Sequence, residues 1–265
     1  MTVWAIANQK GGVGKTTTTI TLAGILSQRG KRCLIIDADP HGSLSVYLGL
    51  DPDTTENSLY NLFHDYDGLS RDVVNDTIVE TKFSDIHLLP ASGAMAVLDR
   101  QMGTKSGMGL VLKSILNLIA TDYDYFLIDC PPQLGLLMVN ALAVCDELLV
   151  PVQTEFLALK GLDRMMHTLK MITHSRSSEL KHTIIPTMYD RRTKASRRAL
   201  EVLQDQFAEH LWNGIIPVDT QFREASRSGT PLSLIAPKTR GVIAYASLLD
   251  YLIGEEEFVQ SLGQL

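Results

Sequence analysis

Ten residues near the amino terminus, Asn8-Gln9-Lys10-Gly11-Gly12-Val13-Gly14-Lys15-Thr16-Thr17, restrict this chain more than any other stretch. They follow a short apolar run, residues 3–7, that predicts a buried strand, and residues 17–28 predict a helix. A glycine-rich turn between a strand and a helix is the context of a phosphate cradle. Glycines let the backbone curl until successive N–H groups converge on an anion. The helix N-terminus that follows adds partial positive charge. In that geometry Lys15 reaches the β and γ phosphates of a nucleotide, and the Thr16 hydroxyl takes a Mg²⁺ ion. The general pattern G-x-x-x-x-G-K-[ST] is met only in part, because Gln9 stands at its first position. A second lysine, Lys10, stands just before Gly11-Gly12.

The same alternation of strand and helix runs on. Residues 31–37, 86–90, 125–129, 147–152 and 183–188 predict strands, with a last short one at 214–217. Between them, apolar residues recur at helical spacing: Leu22, Ile25 and Leu26, then Leu112, Ile115, Leu116 and Ile119. Leu162, Met165, Met166, Leu169 and Ile172 mark another face, Leu200, Leu203, Phe207 and Leu211 the next, and Tyr245, Leu248, Leu249 and Leu252 the last. Residues 49–80 are the least regular, with one short helix expected near 59–63. The strands are near-continuous apolar runs, as in parallel sheets buried on both faces. The expected fold is α/β: a doubly wound, mostly parallel sheet with helices on both faces, forming one domain over residues 1–265.

At 265 residues, 45% hydrophobic and 20% charged, the chain is long and apolar enough to bury a full core. A formal net charge of −6 argues against coating nucleic acid by bulk charge, while leaving room for a local basic patch. Cys33, Cys130 and Cys145 form no CxxC pair and no metal-ligand spacing, so core packing is the reading for the two that fall in strands or at their ends. No apolar run approaches membrane-spanning length, and the first strand begins too early to leave room for a signal peptide. A cytoplasmic protein is expected.

Ligands of open α/β sheets sit beyond the carboxyl ends of the strands. Asp129 closes the apolar strand Phe126-Leu127-Ile128, where a buried strand can hold a carboxylate close to Mg²⁺. Asp37 and Asp39, in Asp37-Ala38-Asp39-Pro40, fall at another strand end.

The string of residues 10–17 resembles the deviant P-loop of the ParA/MinD family of ATPases. The resemblance spans nearly the whole chain and is most specific in the first 40 residues and at Asp129. It implies ATP and Mg²⁺ as cofactors, bound by Lys10, Gly11, Gly12, Val13, Gly14, Lys15, Thr16 and Thr17. It also implies an ATP-dependent homodimer in which Lys10 crosses to the partner's nucleotide. By the same match Thr16, Asp129 and Asp37 serve the metal, and Asp39 positions the attacking water, with Lys10 and Lys15 completing the catalytic set. Where the family usually has glutamine, this chain has His41, either a titrating group or a packing one. Pro217 and Asp219, in Ile216-Pro217-Val218-Asp219, match the segment that lies against adenine in relatives, although Asp219 serves equally well as a turn former. With no arginine finger evident near the loop, slow hydrolysis accelerated by a partner is expected.

Family branches differ at the periphery. MinD-type members end in a basic amphipathic helix on the membrane, whereas this chain reads Gly254-Glu255-Glu256-Glu257-Phe258 near its end, so no membrane partner is expected. Arg191, Arg192, Lys194, Arg197 and Arg198, joined by Arg223 and Arg227, form either a patch for non-specific DNA or an adaptor, or a solvated face balanced by Glu201 and Asp205. The arginines that ParA/Soj-type members carry after the Ile-Pro pair are missing from Val218-Asp219-Thr220-Gln221-Phe222-Arg223-Glu224-Ala225. That stretch, with Asp39-Pro40-His41 and Leu48-Gly49, looks closer to ParC-type members, which place chemotaxis arrays at the cell pole. Polar array positioning with an array protein as partner is therefore the favoured expectation, and chromosome or plasmid segregation on the nucleoid the alternative. A dethiobiotin-synthetase-like ligase is the reading from another class, and such enzymes are expected to lack the Lys10 signature.

Overall fold

The computed structural model of the chain describes residues 1–102, 105, 107–173 and 179–254. The acidic stretch 255–258 read above lies outside the described residues. Among the described residues seven strands form one sheet: β1 (Thr2–Ile6), β2 (Cys33–Asp37), β3 (Val79–Glu80), β4 (Ile86–Leu89), β5 (Tyr125–Asp129), β6 (Glu147–Gln153) and β7 (Lys181–Thr187). Their order is β3-β4-β2-β5-β1-β6-β7, parallel throughout except for β3 against β4. Helix α1 (Lys15–Gln28) joins β1 to β2, and α2 (Ser43–Tyr47), α3 (Leu59–His64) and α4 (Arg71–Thr77) precede β3. Two more, α5 (Leu98–Met102) and α6 (Val111–Leu118), lie between β4 and β5. The crossovers on either side of β6 are α7 (Leu136–Val144) and α8 (Phe156–Thr173). After β7 come α9 (Lys194–Gln206), α10 (Gln221–Ser228), α11 (Leu232–Ile235) and α12 (Arg240–Ile253).

Strand alternation divides the core in two. Val3, Ala5, Leu34, Ile36, Phe126 and Ile128 pack with α6, α7, α8 and α9. Trp4, Ile6, Cys33, Ile35 and Leu127 pack with α1, α11 and α12 on the other face. Each fully buried leucine or isoleucine in these layers contributes about 1.5–3 kcal/mol. The same period of two positions the acidic residues: Asp37 continues the row of Cys33 and Ile35, and Asp129 that of Leu127, so both carboxylates emerge on the α1 side. Register brings them together, since Asp129 pairs with Ile6 of β1 and with Asp37 of β2.

The expected doubly wound sheet is what forms, with two corrections. Residues 214–217 are not a strand: Ile216 N donates to Pro186 O of β7 and Ile216 O accepts from Tyr189 N, while isolated bridges join Leu211 to Ile184 and Pro217 to Tyr189. Ile184 exchanges backbone bonds with His210 and Trp212, so the next outward amide along β7 belongs to residue 186, a proline with no N–H. Leu211, read as part of a helix, belongs to this bridged segment, because α9 stops at Gln206. Helix α10 was not legible as such because it buries only Ala225, leaving no apolar stripe to read.

Helix α1 is buried almost all round, and two of its threonines return their hydroxyls to its backbone: Thr18 Oγ1 donates to Gly14 O at 2.8 Å and Thr19 Oγ1 to Lys15 O at 3.1 Å. At Gly24 the helix is crossed closely by α11, where an added Cβ would overlap Ser233 Oγ and stand 2.9 Å from Pro231 Cβ. Glycine to alanine inside a helix ordinarily stabilises, but here overpacking reverses the sign by about 1–3 kcal/mol. Gly24→Ala should therefore lower the thermal unfolding midpoint by several degrees, and a raised midpoint would show that α11 does not sit on α1 in this way.

Candidate nucleotide site

The loop between β1 and α1 is fastened at both ends. Asn8 Nδ2 donates to Pro151 O at 2.8 Å, Asn8 Oδ1 accepts from Lys10 N at 2.9 Å, and Thr187 Oγ1 donates to Val13 O at 2.8 Å. These bonds hang the loop from the carboxyl ends of β6 and β7. Gly12 and Gly14 adopt the left-handed region, with φ of 74° and 98°, which side chains on Cβ disfavour. A Cβ added at Gly11, Gly12 or Gly14 would meet nothing within 4 Å, so the concave side of the loop is open space. Gly14 caps α1 without any side-chain bond, and no acidic residue stands in the first turn. The leading amides of a 14-residue helix therefore face that space without a capping side chain.

Around this cradle the charges are arranged in depth. Lys15 is buried and its Nζ lies 3.5 Å from Lys10 O, folded back along the loop. Thr16 Oγ1 donates to Asp129 Oδ2 at 2.6 Å, while Asp129 Oδ1 is buried with no hydrogen-bond partner. Burial first, and then the charge of Asp37, pushes the Asp129 carboxyl up to about 8, against the smaller opposing effects of Thr16 and Lys15. Asp37 is fully buried and pushed up to about 6 by burial, although Ser45 donates to it from both N and Oγ, at 2.7 and 2.8 Å. An orphaned carboxylate oxygen beside a threonine hydroxyl is a hard-oxygen pair, and it fits Mg²⁺. Among the described residues no group of three His, Cys, Asp or Glu is placed to cage a metal, so the shell fits an ion that also takes phosphate oxygens and water.

Asp39 sits at the rim. Its Oδ1 accepts from the His41 amide at 3.0 Å and lies 2.9 Å from His41 Nδ1. His41 is thus a partner that orients Asp39 rather than a packing residue. Lys10 does not point at this carboxylate group: its ammonium pairs with Glu155, at the start of α8.

Beside the cradle lies a cavity of about 520 Å³, lined by Thr16, Thr17, Met188, Pro217, Phe222 and Tyr245 among others. Its size and its apolar walls suit a purine base. Met188 has φ 52°, the one non-glycine residue with positive φ among those described, and it stands on this wall. Asp219 also lines the cavity, but its Oδ1 accepts from Gln221 N at 3.0 Å and its Oδ2 from Gly241 N at 3.2 Å. Of its two sequence readings, the turn-forming one matches this geometry. Arg191, Arg192, Lys194, Arg197, Arg198, Arg223 and Arg227 are all exposed. Arg192 pairs with Asp190 and Arg227 with Glu224, and among the described residues neither Arg197 nor Arg198 forms an ion pair with Glu201 or Asp205. The sequence assigned no individual role to Asn8, Ser45, Thr187 or Glu155, although Asn8 opens the loop motif, Glu155 ends a stretch that resembles the family's dimer-contact segment, and Thr187 starts another family-like stretch.

What opens above the loop is a place for a polyphosphate with its cation and base, which defines a P-loop nucleotide-binding protein. The AAA domain family model matches residues 1–182. The sporulation initiation inhibitor protein Soj of Bacillus subtilis is 34% identical over 245 residues, 92% of this chain and 95% of that protein. The chromosome partitioning protein ParA of Caulobacter vibrioides is 35% identical over 257 residues, covering 96% and 94%. Among solved structures, cobyrinic acid a,c-diamide synthase from Mycobacterium smegmatis with a bound ATP analog and magnesium is 32% identical, with a TM-score of 0.82 over 97% of this chain and 96% of that one. A Cyanothece McdA–ATP complex, 22% identical with a TM-score of 0.83 over 96% of each chain, shares the fold. The chain belongs to the ParA/MinD family of P-loop ATPases. Among the described residues no helix is long and apolar enough to cross a membrane.

Stability should report the buried carboxylates. An acid whose pKa is raised on folding contributes stability below its unfolded value, and that contribution is lost as pH rises through the folded value. For the nucleotide-free and metal-free protein, denaturant titrations should show stability falling from the ordinary carboxylate value of 3.8 up to about 8. Asp129→Asn should flatten the upper part of that fall; an unchanged slope would remove Asp129 as its source.

Proposed function

We propose that two copies of this chain close over a pair of ATP–Mg²⁺ complexes, hydrolyse them slowly, and use the cycle to distribute a cargo in the cell. The observation that carries the reading is the position of Lys10. The charge of Lys15 already reaches Asp129, while the Lys10 amine stands apart on Glu155, available to a second molecule's nucleotide. In this reading the amides of residues 11–17 hold the phosphates, and Lys15 turns from Lys10 O onto the β and γ positions. Thr16 and Asp129 would hold the metal, which would neutralise the developing charge of the leaving phosphates, and Asp37, level with Asp129 on the next strand, would assist the metal shell. Asp39, oriented through Oδ1 by His41, presents its other oxygen to the attacking water. Pro217 lies against the base. The chain acts as one domain, and a partner protein accelerates turnover.

Relatives named for chromosome partitioning support DNA as the matrix or cargo, with the protein on the nucleoid in the cytoplasm. So do the exposed Arg197 and Arg198, which no acidic neighbour on α9 neutralises among the described residues. A second reading, array positioning at the cell pole, is supported by the thinness of the patch on α10. There Arg223 lines the base cavity and Arg227 faces Glu224 at 3.8 Å. The name of the Mycobacterium smegmatis structure belongs to a biosynthetic amide synthase. Turnover that responds to DNA or a partner protein, rather than to a small carboxylate, separates these classes.

Asp39→Ala should bind ATP and accumulate as dimer, because only water placement is removed; brisk turnover in that variant would exclude Asp39 from the mechanism. Lys10→Ala should bind ATP yet sediment as monomer. Replacing both Arg197 and Arg198 by alanine should weaken DNA retention of the ATP form and lower its log–log salt slope by about 1 for each phosphate no longer neutralised. A slope equal to that of the parent protein would place DNA elsewhere or nowhere on the molecule.

A further inference from the structure

The ion pair between Lys10 and Glu155 joins two fixed points of the backbone. Lys10 N is bonded to Asn8 Oδ1, and Asn8 in turn to Pro151 O of β6. Glu155 sits in a tight turn two residues past that strand, its N donating to Gln153 O at 2.7 Å, and its carbonyl accepts from Ala158 N at 3.1 Å as α8 begins. The two side chains are 28% and 41% exposed, so their pairing is set by the turn and the loop, not by burial. A partly exposed pair of this kind is weak, whereas an ammonium on a phosphate in a closed interface is strong. One ammonium cannot face its own Glu155 and a partner's triphosphate at once.

We propose that Glu155 is a positioning residue that holds Lys10 in the separate molecule and yields it only when a partner offers a γ phosphate. This inference rests on the cross-subunit reading of Lys10. Glu155 then sharpens the distinction between ATP and ADP: the extra phosphate outcompetes the carboxylate, and without it the carboxylate keeps the lysine. Two such ion pairs open in every dimer, so their effects multiply.

The test is a double-mutant cycle read by sedimentation across a protein dilution series, with a non-hydrolysable ATP analogue and separately with ADP. Glu155→Gln keeps the shape and removes the charge. It should lower the concentration for half-dimerisation with the analogue by ~3-fold for each ion pair and ~10-fold for the dimer. It should also narrow the difference between analogue and ADP, with nucleotide affinity of the dilute monomer and the unfolding midpoint unchanged. Adding Glu155→Gln to Lys10→Ala should change nothing, because the residue acts through the lysine. An unshifted or weakened dimer in Glu155→Gln, or the same shift persisting without Lys10, overturns the role of Glu155. A Lys10→Ala protein that dimerises like the parent overturns the cross-subunit reading itself, a different and separately visible result.

Discussion

The structure depends on a stretch of backbone that must bend the wrong way. Gly12 and Gly14 take left-handed conformations so that the chain can leave β1, curl, and enter α1 with its first amides facing open space. Gly14 brings no side chain to cap those amides, and converging donors at a helix end are a standing demand for an anion. The sheet exists in this form around that demand. β6 and β7 lend their carboxyl ends to suspend the loop, through Pro151 and Thr187. β5, next to β1, and β2 beyond it each end in a carboxylate, in register.

Two acidic residues side by side in a buried place are unfavourable unless something positive joins them. Asp37 relieves part of that cost through Ser45, and Asp129 through Thr16, yet one oxygen of Asp129 is left without a partner. The cradle above therefore lacks negative charge while the carboxylates beneath lack positive charge. A triphosphate carrying a divalent cation supplies both together, which is the physical reason for reading loop and carboxylates as one site. The lysines divide along the same line: Lys15 is buried within the loop, Lys10 is at its rim on Glu155.

Much of this was legible in the amino-acid order, because the informative residues are neighbours there. The loop is contiguous, Asp37 and Asp129 announce themselves as carboxylates ending apolar strands, and the mostly parallel character of the sheet, though not its strand order, followed from the alternation of strands and helices. What stayed illegible is non-local or compositionally faint. Glu155 lies 145 residues from Lys10, and Thr187 lies 174 from Val13, and no spacing rule connects them. The edge segment 214–217 looked like a strand because its residues are apolar, but Pro186 opposite it has no amide to give. Asp219 matched a base-binding position by resemblance, while the fold occupies both its oxygens with backbone amides.

The central claim is that each active site is made by two chains. It is tested most directly by mixing two inactive variants, Lys10→Ala and Lys15→Ala, and measuring ATP turnover. In a mixed pair the first variant holds nucleotide with its own Lys15 and receives Lys10 from the second, so the mixture should regain turnover that neither variant shows alone. A mixture as inactive as its components, under conditions where the pair is shown to form, would contradict the account.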